Sequence, residues 1–188
     1  MNLYFLVEGR STERKVYPKW LSFLIPDLTR IKDYTDANDN NYYLFSGEGF
    51  PAIIDNHLIN TIKDINESGK FDYLILCIDA DEDSIADRNK QVLDKIKKNN
   101  IKLKNCELIL IIQNKCIETW FLANRAICSS EPQRILLQDF IKFYNVKLDD
   151  PELMGKYTGF STTTKFHEAY LKELLAENNK SYTKTEVP

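Results

Sequence analysis

The chain predicts an α/β fold: a mainly parallel, four-stranded central sheet flanked by helices, followed by a helical C-terminal extension. Three observations predict it. Short apolar runs of strand length alternate with runs of helical period, the pattern of strands joined by right-handed crossovers. Each apolar run is bounded by glycine or by a polar cluster. From residue 129 onward helical periodicity continues with no clear strand, which sets a boundary between residues 1–128 and 129–188.

The elements follow in order. "LYFLV", residues 3 to 7, is a buried strand, and "EGRST" turns the chain at Gly9. Ser11 or Thr12 caps a helix to about Leu24, with Val16, Trp20, Phe23 and Leu24 as its apolar face and Pro18 as a kink or a later start. "TDANDN" is a polar loop and "YYLFS", residues 42 to 46, the second strand. After "GEG", Pro51 opens a helix whose Ile54, Leu58, Ile62 and Ile65 recur at helical spacing, and Gly69 ends it. Residues 72 to 78 form the third strand, residues 85 to 98 a helix and residues 107 to 113 the fourth strand. Helices are expected over 117–127, 132–144 and 164–177, with a loosely ordered tail from Asn178.

Composition narrows the function classes. The 188 residues carry a net charge of −3 and are 43% hydrophobic, enough for a packed core and too apolar for a disordered chain. A pI near 5.5 argues against binding nucleic acid by charge alone. No apolar run approaches the roughly 20 residues that span a bilayer, and the opening residues lack the features of a signal peptide. Cys77, Cys106, Cys116 and Cys128 form no C-x-x-C pair, so a reduced, cytoplasmic protein is expected rather than a zinc or disulfide scaffold.

The chemistry concentrates in "LILCIDADEDS", residues 74 to 84, a buried strand that ends in a run of acids. Ligands of parallel α/β sheets bind outside the carboxyl ends of the strands. Glu8 follows the first strand, Asp79 and Asp81 the third, and Glu118 lies just beyond the fourth. Carboxylates crowded together repel, and a divalent cation removes that repulsion. An all-oxygen set without His or Cys selects Mg²⁺ or Mn²⁺, and two such ions about 4 Å apart suit phosphodiester cleavage. Each acid also has a plainer role. Asp79, Asp81, Glu82, Asp83 and Asp87 can end a strand or cap the next helix, and Glu13 and Glu118 can be first-turn acids favoured by the helix dipole.

"LYFLVEGRSTE" with "YLILCIDADED" resembles the TOPRIM domain, the OLD-like and RloB-like nuclease branch above all. The resemblance covers roughly residues 3 to 125. The family pattern, a Glu after the first strand and Asp-x-Asp after the third, falls on Glu8 and on Asp79 and Asp81. Glu13 matches a second Glu after the turn. Glu118, in "QNKCIETWFLANR", matches an acid at a helix start. The resemblance implies a Mg²⁺- or Mn²⁺-dependent nuclease, with one or two ions held by Glu8, Asp79 and Asp81 and assisted by Glu13, Asp83 and Glu118. It implies DNA or RNA, including tRNA, as substrate and a role in bacterial antiphage defence. A lysine from the C-terminal part is expected near the scissile phosphate, with Lys165 and Lys156 as candidates. The chain has no P-loop, so an ATPase partner would be another chain. Homo-oligomers are compatible with this reading and a membrane is not part of it.

Weaker signals remain open. "KIKKNNIKLK", residues 95 to 104, reads as a solvated face or as a polynucleotide track. The backbone of Gly47 or Gly49 offers a phosphate contact. Two other function classes compete with the nuclease: a non-catalytic module that docks on nucleic acid or an ATPase, and a receiver-like switch with Asp79 as phosphoacceptor.

Overall fold

The computed structural model describes residues 1–185. Its α/β fold is built on a five-stranded, all-parallel sheet. The strands are β1 (Leu3–Val7), β2 (Thr29–Arg30), β3 (Asn41–Ser46), β4 (Tyr73–Asp79) and β5 (Glu107–Gln113), in the order β2-β3-β1-β4-β5. The helices are α1 (Thr12–Leu24), α2 (Leu58–Ser68), α3 (Ile85–Lys98), α4 (Ile117–Leu122), α5 (Ile135–Phe143) and α6 (Thr163–Glu177). Among the described residues no helix is long and apolar enough to cross a membrane.

The chain divides into two compact units, residues 1–78 with 86–112, and residues 79–85 with 113–188. The break expected at residue 129 therefore falls inside the second unit. β5 is followed directly by chain that packs with the C-terminal helices, and the acidic loop after β4 belongs to the same unit.

In the first unit β1 pairs in parallel with β3 on one side and β4 on the other, Val7 standing opposite Ser46 and Cys77. A strand flanked on both edges and covered on both faces has no solvent side, which is why "LYFLV" is an unbroken apolar run. Tyr4 and Leu6 pack with Ile53, Leu58, Ile62, Ile65, Leu74 and Leu76. Phe5 meets Tyr17 of α1 and Tyr42 of β3, with ring centroids 6.0 and 6.2 Å apart.

Three local readings change. The fifth strand, β2, is only two residues long, too short to show an alternating pattern in the sequence. α1 runs through Pro18 from Thr12, and it buries Thr12, Glu13, Val16, Tyr17 and Leu21. Phe23 and Leu24, expected on the buried face, are 86% and 76% exposed. The proline deprives only the Arg14 carbonyl of its helical donor, and Arg14 lies on the solvent side. The helix expected from Pro51 begins with a π-helical turn at Ile53–His57 before α2.

The second unit has its own core. α6 buries Phe166, His167, Tyr170, Leu171, Leu174 and Leu175, a helical stripe. They pack with Leu122, Leu137, Phe140, Val146, Met154 and Tyr182. Phe140 is fully buried, with the rings of Phe166, Tyr157, Tyr170 and Phe160 at 5.1, 5.3, 5.5 and 6.0 Å. The tail expected to be loose is held as far as Tyr182, whose residue is 4% exposed. The last part of that tail, residues 186–188, lies outside the described residues.

Candidate functional site

Glu8 stands directly after β1, and the turn after β3 closes on it. Gly47 N donates to Val7 O at 2.7 Å, Gly49 N to Glu8 O at 2.8 Å, and Phe50 N to the Glu8 carboxylate at 3.2 Å. The glycine N–H groups suggested as phosphate donors are thus engaged by the strand-end carbonyls. Their role is to hold Glu8.

Glu13 is 5% exposed, and its Oε1 accepts from Gly9 N at 2.8 Å. The carboxylate folds back over the turn it follows and satisfies a backbone N–H ahead of the helix. A Cβ on Gly9 would fall on this carboxylate, so the glycine is required by space rather than by its backbone angles. Gly9→Ala is therefore expected to displace Glu13 and lower stability by about 1–3 kcal/mol, the cost of a buried polar group losing its partner. Urea denaturation checks this, and an unchanged midpoint would contradict it.

In the second unit Asp79 closes β4 and is half-buried. The loop beyond it continues to bond to the chain leaving β5. Ala80 N donates to Gln113 O at 2.9 Å, Asp81 N to Lys115 O at 2.8 Å, and Asp83 N to Ala80 O at 3.0 Å. Asp81 has φ of 53°, a left-handed conformation that Asp tolerates better than most residues. The Asp-Ala-Asp segment is thereby fixed in place by main-chain bonds, independent of its charges.

The remaining acids divide between structural and site roles. Glu82 caps α6: its carboxylate accepts from Thr163 N at 2.7 Å, Thr163 Oγ1 at 3.0 Å and Thr164 N at 3.3 Å. Desolvation works against its charge, but the Thr163 and Thr164 bonds outweigh it and hold the carboxyl below its ordinary pKa. Glu118, in the first turn of α4, is 3% exposed and accepts from the Tyr182 hydroxyl at 2.7 Å. Beside it, burial and then the Glu118 charge push the Cys116 thiol well up, which disfavours its thiolate.

Lys165 is exposed in the first turn of α6, and its backbone N bonds the capping Thr162 hydroxyl; Lys156 is exposed as well. A lysine whose charge is coupled to Glu118 and Asp79 is Lys184. Desolvation would lower its pKa, yet the fields of Glu118, Glu168, Asp79 and Cys116 outweigh that and raise it. This residue and Tyr182 lie in the tail, where the sequence shows no periodicity to signal packing.

His167 is fully buried between two fixed partners. Its Nε2 lies 3.1 Å from Met154 O, which can only accept, so Nε2 carries the proton. Nδ1 then accepts from the Thr119 hydroxyl at 2.8 Å. Burial lowers the histidine pKa below its ordinary value. The folded state thus keeps His167 neutral, while the unfolded chain takes up a proton as pH falls below about 6.5. Stability is expected to be complete above that pH and to fall on acidification toward pH 5. Denaturation midpoints at both pH values check this, and His167→Gln should flatten the dependence.

The donor chemistry of Glu8, Asp79, Asp81 and Glu118, carboxylates without His or Cys, fits a hard divalent cation. Among the described residues, however, no three His, Cys, Asp or Glu side chains are grouped so as to hold a metal ion. Glu13 and Glu82 are committed to backbone N–H groups and Glu118 to Tyr182. Compared with models of known families, with curated proteins and with solved structures, the chain matches none.

Proposed function

We propose that the chain is a Mg²⁺- or Mn²⁺-dependent phosphodiesterase, a nuclease of the TOPRIM kind. The observation that carries this reading is the parallel pairing of β1 with β4 at the centre of the sheet, Val7 opposite Cys77. Glu8 follows the first of these strands and Asp79 closes the second, at the edge where parallel sheets take their ligands. In this reading Glu8, Asp79 and Asp81 hold the metal. A bound divalent ion would supply charge stabilisation at the phosphate and an activated water. Turn residues 47–50 hold Glu8, and the bonds from Ala80 and Asp81 to the chain after β5 hold the aspartates. Lys184 brings a cation into the field of Asp79 and Glu118, suited to a phosphate oxygen. Glu13 and Glu82 support the fold rather than the ion. A role in antiphage defence, beside an ATPase supplied by another chain, goes with this reading.

The test is a cleavage screen with plasmid DNA, single-stranded DNA and total tRNA, each in Mg²⁺, Mn²⁺ or EDTA. Cutting of at least one substrate in metal and of none in EDTA is expected. A second reading, a non-catalytic nucleic-acid-binding module, is favoured by the lack of a three-acid group among the described residues. It predicts tight binding of nucleic acid that chelator leaves unchanged, with no cutting under any condition.

A further inference from the structure

We propose that a groove along the open edge of β3 binds a single-stranded nucleic acid through its phosphates. The groove has a volume of about 780 Å³ and is lined by Arg10, Arg14, Arg30, Lys32, Tyr43 and Phe45. The proposal deepens the nuclease reading and rests on it for the identity of the polyanion.

The topology opens the groove. β2 pairs with β3 at Thr29–Asn41 and Arg30–Tyr42, with further bonds from Thr29 N to Asn40 O at 2.8 Å and from Ile31 N to Tyr42 O at 2.9 Å. Beyond Tyr42, among the described residues, the outer edge of β3 carries no further strand. The end of β2 and the chain leaving it supply Arg30 and Lys32, and the turn before α1 and its first turn supply Arg10 and Arg14. These residues come from separate segments, and all four side chains are exposed.

The charge is one-sided. Against four cations the lining offers a single carboxylate, Glu48, which pairs with Arg10 at 3.0 Å. Among the described residues Arg14, Arg30 and Lys32 make no ion pair. In a chain of net charge −3, this concentration of unneutralised cations is a local reversal of sign. Guanidinium groups match phosphate oxygens in bidentate geometry, and a polyanion at this place relieves the mutual repulsion of the cations.

The rings select the form of the strand. Tyr43 and Phe45 are two residues apart on β3, so they lie on one face at a spacing of about 6.5–7 Å. Both are half-buried and line the groove, Tyr43 with its ring 5.0 Å from that of Tyr4 and Phe45 with its ring 5.3 Å from that of His57. Cations tracking a backbone beside aromatic side chains are the pattern of single-strand binding, because unpaired bases present faces that a duplex conceals.

The experiment is a fluorescence anisotropy titration of full-length protein with labelled dT20 and rU20 in EDTA, over a range of salt. Wild type is expected to bind, with affinity falling as salt rises. Arg14→Glu with Arg30→Glu should weaken binding at least about tenfold. It should also flatten the log–log salt slope by roughly 1.4, about 0.7 for each lost phosphate contact. The neutral pair Arg30→Gln with Lys32→Gln should act in the same direction, which guards against a folding defect in the charge reversal. Lys97→Glu with Lys98→Glu, an equal change of charge on the exposed end of α3, should leave affinity unchanged. A duplex of equal length should compete less well than a single strand, and comparison of dT20 with rU20 identifies the preferred sugar. Equal losses in the groove and control variants, or no binding by wild type, would overturn the proposal. Neither result touches the nuclease reading, which is judged by Asp79-dependent cleavage in metal.

Discussion

Asp79→Asn is expected to lower metal-dependent cleavage by on the order of a thousandfold or more while leaving the fold intact. The substitution keeps the size and most of the hydrogen-bonding capacity of the side chain and removes one negative charge. A metal at a phosphodiester contributes several kcal/mol of transition-state stabilisation, and each 1.36 kcal/mol is about tenfold in rate. The neighbouring main-chain bonds, from Ala80 to Gln113 and from Asp81 to Lys115, do not involve the substituted side chain. Circular dichroism and the urea midpoint should therefore stay close to those of wild type. Cleavage at the wild-type rate by the variant would remove Asp79 from the chemistry. A variant that loses activity together with its fold would fail the second half of the expectation.

The largest effect on stability is expected from Phe140→Ala. Phe140 is fully buried at the centre of the second unit, where Phe166 packs edge-on at 5.1 Å and three further rings surround it. Truncation removes the apolar contact and leaves a cavity among rigid rings that relax poorly, a cost of about 3–5 kcal/mol. For a chain of this size, that is a fall in melting temperature of roughly 6 °C or more. Differential scanning calorimetry measures it. A shift within a degree of wild type would contradict a tightly packed core around Phe140.

Much of the fold can be read in the sequence because its strands are buried on both faces. "LYFLV", "YLILCID" and "ELILIIQ" need no alternation to be recognised, and the helices between them follow from spacing and bounding glycines. β2 escapes because a two-residue strand has no period. The face of α1 is misassigned because Phe23 and Leu24 are large and apolar yet stand in solvent, while Thr12 and Glu13 are buried. Apolar character signals burial only on average. The docked tail escapes for a different reason: no periodicity surrounds Tyr182, whose hydroxyl donates to Glu118 and whose ring meets Phe121.

The candidate site is legible as residue types and not as geometry. Position relative to strand ends singles out Glu8, Asp79 and Asp81, but nothing in the spacing reveals that Glu13 turns back to Gly9 or that Glu82 caps α6. Glu82 sits in a run that reads as uniform negative charge, Glu13 stands among basic residues, and only the fold shows that both bond backbone. The basic groove is invisible for the converse reason. Arg10, Arg14, Arg30 and Lys32 never form a run, whereas the run that does exist, residues 95 to 104, contains Lys95 paired with Asp55 at 2.8 Å and otherwise solvated lysines.

We propose that the acids after β1 and β4 bind a divalent ion. Titration of Mn²⁺ followed by electron paramagnetic resonance tests it most directly, comparing wild type with Glu8→Gln and Asp79→Asn. Saturable binding by wild type is expected, with a loss of affinity of at least about tenfold in each variant, because each would remove a proposed ligand. Mn²⁺ binding that is equally tight in all three proteins, or absent from wild type, would contradict it.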